Sequence, residues 1–213
     1  KKGQTIRLRE FERLDGNGNG YIDNWYTGTS VVYEEYTFGQ DDTEETWGPE
    51  FMYHGFRYMQ ISGLSEAPSP SDFTAQRIRS NMDQTGYFST SNTLINDIHT
   101  LCRDAIQSQL YNTITDCPQR EKLGWLDVPN EMFNSLCYNY DMTTFWTKVV
   151  MDCFDAQGEN GFVPSTAPWF MNVYADDPNW GGTGILVPYR SLKTYGDRSL
   201  MKKYYPQMKR LMD

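Results

Sequence analysis

From Lys1 to Leu64 the apolar positions alternate with polar ones instead of recurring every third or fourth place. Ile6 and Leu8 are separated by charged or polar neighbours between Thr5 and Phe11, and Val31-Val32-Tyr33 leads on to Tyr36 and Phe38. Residues 51–61 are rich in aromatic side chains. A period of two with aromatic and β-branched residues predicts strands. Turn-forming runs interrupt them at DGNGNG (15–20) and GQDD (39–42). The pattern predicts an antiparallel β-sandwich region over residues 1–64. Residues 65–90 read as a connector, opened by the proline-containing LSEAPSPS at 64–71 and carrying one further strand through 76–82.

From Ser91 the period lengthens. Leu94, Ile95, Ile98, Leu101, Cys102, Ala105 and Ile106 fall on one helical face, which is expected to be buried. Further helices are predicted over 131–138, 142–157, 185–195 and 199–212. Gly196 suits the end of one and Asp197 the cap of the next. Pro188 lies in the first turns of its helix and marks a point where it can kink. The fold class is therefore mixed and multidomain, with the β region followed by an all-α region over 91–213. Five helices joined by long polar loops are fewer than a closed helical toroid requires.

Composition narrows the function classes. No run reaches the roughly 18 apolar residues of a membrane span. The formal charge of −9, from 19 basic and 28 acidic residues, argues against nucleic acid or an anionic membrane as the main partner. Tyr, Phe and Trp make up 15% of the chain; such rings stack on the C–H faces of sugars, although a large core uses the same residues. The four cysteines, Cys102, Cys117, Cys137 and Cys153, show no metal-ligand spacing. Cys102 and Cys153 fall on apolar helical faces, where a buried thiol is expected. With only His54 and His99 present, a histidine-based zinc site or a Ser-His-Asp triad has little to build on. His54 is assigned to the core of the β region or to its interface. The chain opens Lys-Lys-Gly-Gln instead of on Met, and its natural start is expected to lie upstream.

Two segments could carry chemistry. The run from Asp15 to Asp23 offers Asp15, Asn17 and Asn19 as oxygen ligands, with Gly20 at a sharp bend, like the front of a calcium loop. Position twelve is Tyr26 where a bidentate Glu is needed, so a hairpin turn is the favoured reading and a structural calcium the lesser one. No cofactor is implied. The second segment, residues 115–127, holds Asp116, Arg120, Glu121, Trp125 and Asp127 with a proline and a glycine. Pro118 keeps Cys117 out of helical backbone, so 116–120 is a loop, and loops on a rigid scaffold are where binding groups gather. Carboxylates, one guanidinium and one indole suit sugar hydroxyls, a stacking face and a proton donor. The bland alternative is a solvated helix start, with Glu121 a first-turn acid favoured by the helix dipole.

The string DCPQREKLGW (116–125) closely resembles the signature of glycoside hydrolase family 78, the α-L-rhamnosidases, which typically read DCPQRDERLGW, with REKLGW variants. FMYHGFRYMQISG (51–63), NMDQTGYFSTSNTLIN (81–96), DAQGENGFVPSTAP (155–168) and DPNWGGTGILVPYRSLKTYGD (177–197) resemble other family segments in the family's order. The resemblance implies a β-sandwich followed by an (α/α)6 barrel, of which about the first half is present, and hydrolysis of terminal α-L-rhamnose with inversion. It implies Glu121 as general acid, Asp116 and Arg120 as ligands of rhamnose hydroxyls, and Trp125 and Trp180 as aromatic walls. Asp127 matches a further carboxylate more loosely, because the typical string reads Trp-Thr-Gly-Asp. This chain lacks the Asp between the motif's Arg and Glu, which puts the loop's geometry in question. The family's general base lies in the second half of the barrel, beyond residue 213. The expected partner is an L-rhamnose-containing glycan or glycoside, and the expected compartment periplasmic or extracellular. The rival readings are a different glycosidase or a lyase on the same barrel, and a catalytically silent carbohydrate-binding relative.

Overall fold

The computed structural model of the chain describes residues 1–21, 32–170 and 177–213. It divides into two compact units, Lys1–Ile78 with Cys117–Glu121, and Arg79–Asp116 with Lys122–Asp213. Asp23, Tyr26 and Val31, named above, lie outside the described residues.

The first unit is built on β1 (Thr5–Phe11), flanked by β4 (Glu34–Thr37) and β5 (Tyr58–Ser62) in the antiparallel order β4-β1-β5. The register pairs Ile6 with Tyr36 and Leu8 with both Glu34 and Ile61. Alternation therefore puts Ile6, Leu8, Tyr36, Met59 and Ile61 on one half-buried face, and Arg7, Glu35, Thr5 and Thr37 on the exposed one. There the Thr5 and Thr37 hydroxyls bond at 2.7 Å and Arg7 pairs with Glu35 at 2.7 Å. A second hairpin joins β2 (Arg13–Leu14) to β3 (Gly20–Tyr21). Its turn is closed by Asp15, whose carboxylate accepts the amides of Asn17 and Asn19, each at 2.8 Å. The carboxylate is occupied by its own loop, as the hairpin reading required.

The apolar face carries two acids. Glu10 and Glu34 converge on His54, which bonds Glu34 and lies 3.9 Å from Glu10, all three side chains being about nine-tenths buried. Burial raises the Glu10 carboxyl above its usual range, opposed by the imidazole and reinforced by the Glu34 carboxylate. His54 thus belongs to the first unit.

The strand expected over 51–61 forms only toward its end. Residues 51–57 hold no strand because their polar backbone finds partners elsewhere, as with the Gly55 amide, which donates to Pro118 O at 3.1 Å. The strand expected at 76–82 is absent. Those residues are irregular, and backbone pairing in the stretch is limited to single contacts such as Ser80 N to Leu110 O at 2.7 Å.

The second unit contains α1 (Thr93–Gln107), α2 (Asp127–Asn139), α3 (Thr143–Asp155), the single turn α4 (Pro178–Gly181), α5 (Thr183–Tyr195) and α6 (Ser199–Met212). Helix α5 packs on α2, α3 and α6. Phe133 of α2 stacks on Trp146 of α3 with centroids 4.7 Å apart, and Phe154 on Tyr204 of α6 at 5.2 Å. Gly184 permits the approach of α5 to α3, since a Cβ there would lie 2.9 Å from the Phe154 ring. Helix α5 runs through Pro188, which is buried. It ends at Gly196 in the left-handed region, with φ 72°. The Asp197 carboxylate then accepts the Ser199 amide at 2.8 Å at the start of α6.

Helix α1 departs from expectation. Its amphipathic pattern formed the helix, capped by the Asn92 side chain on the Leu94 amide, yet it buries none of its residues. Leu94, Ile98 and Leu101 are 64%, 50% and 70% exposed, and Cys102 is exposed, whereas Cys153 is fully buried. Periodicity identifies an apolar stripe but not what covers it. Helix α1 is held to its unit by Ile106 packing on the core and by polar contacts: His99 Nε2 meets Asn139 Oδ1 at 3.2 Å, and Gln107 donates to the Tyr140 hydroxyl at 2.7 Å.

These contacts can be tested in each unit. Gly63 has φ 91°, and a Cβ there would lie 2.1 Å from Thr5 O. Gly63→Ala is expected to destabilise the first unit by more than about 1 kcal/mol, read by denaturant melting. In the second unit, the Asp197 carboxyl is held below its ordinary value of 3.8 by the Ser199 amide and hydroxyl. A lowered acid stabilises above its unfolded value and loses that stabilisation as pH falls through the folded one. Amide exchange at the first turn of α6 should therefore speed up as pH drops below about 3.8 beyond the intrinsic trend. Asp197→Ala should remove that dependence.

Candidate active site

The DCPQREKLGW loop is shared by the two units. Its middle, Cys117–Glu121, belongs to the first and its ends to the second. In the first unit, Pro118 rests on Gly55, where a Cβ would come within 2.4 Å of the proline ring. Cys117 Sγ accepts the Glu121 amide at 3.1 Å, which curls the stretch into a tight turn. Arg120 lies beside Gln119, Glu12, Arg13 and Tyr21 around a recess of about 240 Å³, in which the Arg13 guanidinium stacks over the Tyr21 ring at 4.0 Å.

The turn is not the helix start that the bland reading assumed. Lys122 takes a left-handed backbone conformation (φ 55°), and α2 begins only at Asp127. The first-turn acid that the helix dipole favours is therefore Asp127, and Glu121 stands in irregular backbone outside any helix.

In the second unit the loop's ends are pinned by backbone rungs. Asp116 N donates to Leu123 O at 3.2 Å, and the Asp116 carboxylate accepts the Leu123 amide at 3.2 Å. Gly124 O accepts the Ala167 amide at 3.0 Å, Trp125 bridges to Thr166, and Leu126 N donates to Ser165 O at 2.9 Å. Ser165, Thr166 and Ala167 are buried, so this short ladder runs through the interior. It sets Trp125 at the mouth of α2.

Trp180 reaches the same place from α4. Asp177 caps that turn on the Asn179 amide at 2.9 Å, and Pro178 begins it. The Trp180 indole comes to 6.3 Å from that of Trp125, the planes inclined at 59°. Among the described residues, Asp127 Oδ1 and Trp180 Nε1 are buried and find no protein partner. Buried polar atoms are almost always satisfied by protein, water or ligand, so each has hydrogen-bonding capacity in reserve. Two tilted aromatic faces are a surface on which the C–H face of a sugar can stack.

Of the residues singled out in the sequence, Trp125, Trp180 and Asp127 thus stand in the helical unit with Asp116, and Arg120 and Glu121 in the first. Sequence reasoning passed over Asn130 and Thr183. Both are buried, with Asn130 Nδ2 donating to the Thr183 hydroxyl, and the Thr183 hydroxyl donating to Leu126 O. The signal available was a polar residue on the inner face of each helix, at positions where periodicity calls for an apolar one.

Comparison with known proteins places the chain in a family. Residues 83–213 match the bacterial alpha-L-rhamnosidase 6 hairpin glycosidase domain, and residues 1–79 the bacterial alpha-L-rhamnosidase concanavalin-like domain. An alpha-L-rhamnosidase of Formosa agariphila is 32% identical over 225 residues, covering 99% of this chain and 23% of that protein. One from Streptomyces avermitilis is 30% identical over 207 residues, covering 97% and 20%. The structure of alpha-L-rhamnosidase from Dictyoglumus thermophilum superposes with a TM-score of 0.88 at 31% identity, over 99% of this chain and 24% of that one. The Streptomyces avermitilis enzyme complexed with L-rhamnose also gives 0.88, at 30% identity over 99% and 20%. The chain therefore spans between a fifth and a quarter of the length of these relatives.

The ladder makes one firm prediction. A Cβ on Gly124 would lie 2.5 Å from Ala167 O and 2.7 Å from Thr113 Oγ1. Gly124→Ala should open the rungs at Trp125 and lower stability by about 1–3 kcal/mol, measured by urea titration against wild type.

Proposed function

Because the chain belongs to the bacterial α-L-rhamnosidases, we propose that the protein carrying it hydrolyses terminal α-L-rhamnosides with inversion, and that Glu121 is the general acid. The observation that supports this reading is the pair Trp125 and Trp180, centroids 6.3 Å apart, beside the start of α2. Inverting hydrolysis needs one carboxylic acid to protonate the leaving oxygen and a second carboxylate to activate water on the opposite face of the sugar. Glu121 takes the first role by its place in the REKLGW string. Its position outside any helix supports this, since an acid on an irregular turn can reach a substrate without the constraint of a helical face. The base is assigned to no residue of this chain. Asp116 and Arg120 bind rhamnose hydroxyls, Arg120 through the planar donors of its guanidinium. Trp125 and Trp180 stack on the ring and exclude water from it. Asp127, at the positive end of α2, accepts from a hydroxyl.

The test is release of rhamnose from an aryl α-L-rhamnoside by the intact protein and its Glu121→Gln variant. General acid catalysis is typically worth about 10²–10⁴-fold, and a loss of that order in kcat with rhamnose binding retained is the expected result. Near-normal turnover in the variant would move the acid elsewhere. A wild type that binds rhamnose but cleaves no rhamnoside would be a carbohydrate-binding relative without turnover.

A further inference from the structure

The two indoles come from segments far apart in sequence, and one buried side chain ties those segments together. Thr183 is the first residue of α5, just after the turn that carries Trp180, and it is fully buried. Its hydroxyl donates to Leu126 O, the carbonyl immediately after Trp125, and accepts from Asn130 Nδ2 on the first turn of α2. Arg190, further along α5, donates to the Asn130 carbonyl. A single hydroxyl thus spends its proton on the Trp125 segment and a lone pair on the start of α2, while its own backbone continues from α4.

Nothing in simple packing demands this arrangement. A buried hydroxyl and a buried amide cost free energy unless both are bonded, and an apolar pair of the same shape fills the space without that condition. What a hydroxyl adds is direction, because it holds one carbonyl at one distance and angle. The other side of Trp125 is already fixed by the rungs to Ser165 and Ala167. On the Trp180 side, Gly181 packs closely on Val163 O and Trp180 rests against the core, and the Thr183 hydroxyl adds the bond from the start of α5 to the Trp125 segment.

We propose that Thr183, seated by Asn130, is a positioning residue that holds Trp180 against Trp125 and so sets the shape of the sugar-binding wall. This rests on the reading of the two tryptophans as that wall. Neither Thr183 nor Asn130 touches substrate; each acts through the indoles.

The experiment compares Thr183→Val, which keeps shape and removes the hydroxyl, with Thr183→Ser, which keeps the hydroxyl, in the intact protein. Near-UV circular dichroism reports the packing of the tryptophans, and turnover of an aryl α-L-rhamnoside reports the wall. Thr183→Val is expected to remain folded at room temperature, to lose part of the tryptophan signal and to raise KM by about tenfold with a smaller change in kcat. Thr183→Ser is expected to restore both to near wild type. If the valine variant proves too unstable to study, Thr183→Ala, which leaves room behind the carbonyl, takes its place with the same expected pattern. A purely structural role would lower the melting temperature and leave the tryptophan spectrum and KM of the folded protein unchanged. That outcome overturns the proposal, as does failure of serine to restore them. Should the wild type cleave no rhamnoside, the functional reading fails; a tryptophan signal lost in valine and regained in serine would still establish the positioning role.

Discussion

The segment Gly124–Leu126 runs through the interior without belonging to a helix or to a sheet of any length, and its peptide groups must still be satisfied. Strand-like rungs to Ser165–Ala167 take up one side, and the Thr183 hydroxyl takes the carbonyl of Leu126 on the other. Much else in the helical unit follows from this requirement. The chain leaves the ladder at Leu126 and enters α2 at once, so Asp127 falls on the first turn and Phe133 and Leu136 point into the core beside Trp146. Thr183 sits at the start of α5, so satisfying one carbonyl also anchors the helix that packs on α2, α3 and α6.

In the first unit polar groups and packing meet differently. The face of β1 that presents Ile6 and Leu8 also presents Glu10, and burying that carboxyl is tolerated because it hydrogen-bonds Glu34 and His54 lies beside both. A buried polar cluster of this kind adds little net stability, but it is costly to break by removing one member. The segment that delivers His54 also delivers Gly55, whose missing side chain leaves room for Pro118. The stretch 51–57 therefore seats part of the DCPQREKLGW loop instead of extending β5, which explains why a segment with strong strand propensity contains only a short strand. Tertiary contacts overrode propensity where a loop needed a seat.

Helix α1 shows how far local signals reach. Its cap and its spacing of apolar residues mark the helix from Thr93 to Gln107; within this segment Ile106 packs on the core, while Leu94, Ile98 and Leu101 face outward. Helices of about this length are marginal alone, so the contacts of His99 and Gln107 with the residues around α2 matter to its stability.

Local sequence was enough to place a β region ahead of helices, to bound α1, α3, α5 and α6 to within a few residues, to find the capping at Gly196 and Asp197, and to identify the family by its loop signature. These are properties complete within a short window: a period, a cap or a string of residues. Long-range packing was needed to start α2 at Asp127 and leave Glu121 in an irregular turn, to bring Trp180 to Trp125, to deny residues 76–82 a strand, and to bury Asn130 and Thr183 between helices. The contacts behind these features join residues distant in the chain, Ala167 with Gly124, Thr183 with Leu126, Pro118 with Gly55. A hydrogen bond or a van der Waals contact between distant residues leaves no periodic trace in either segment, so neither segment alone could announce it.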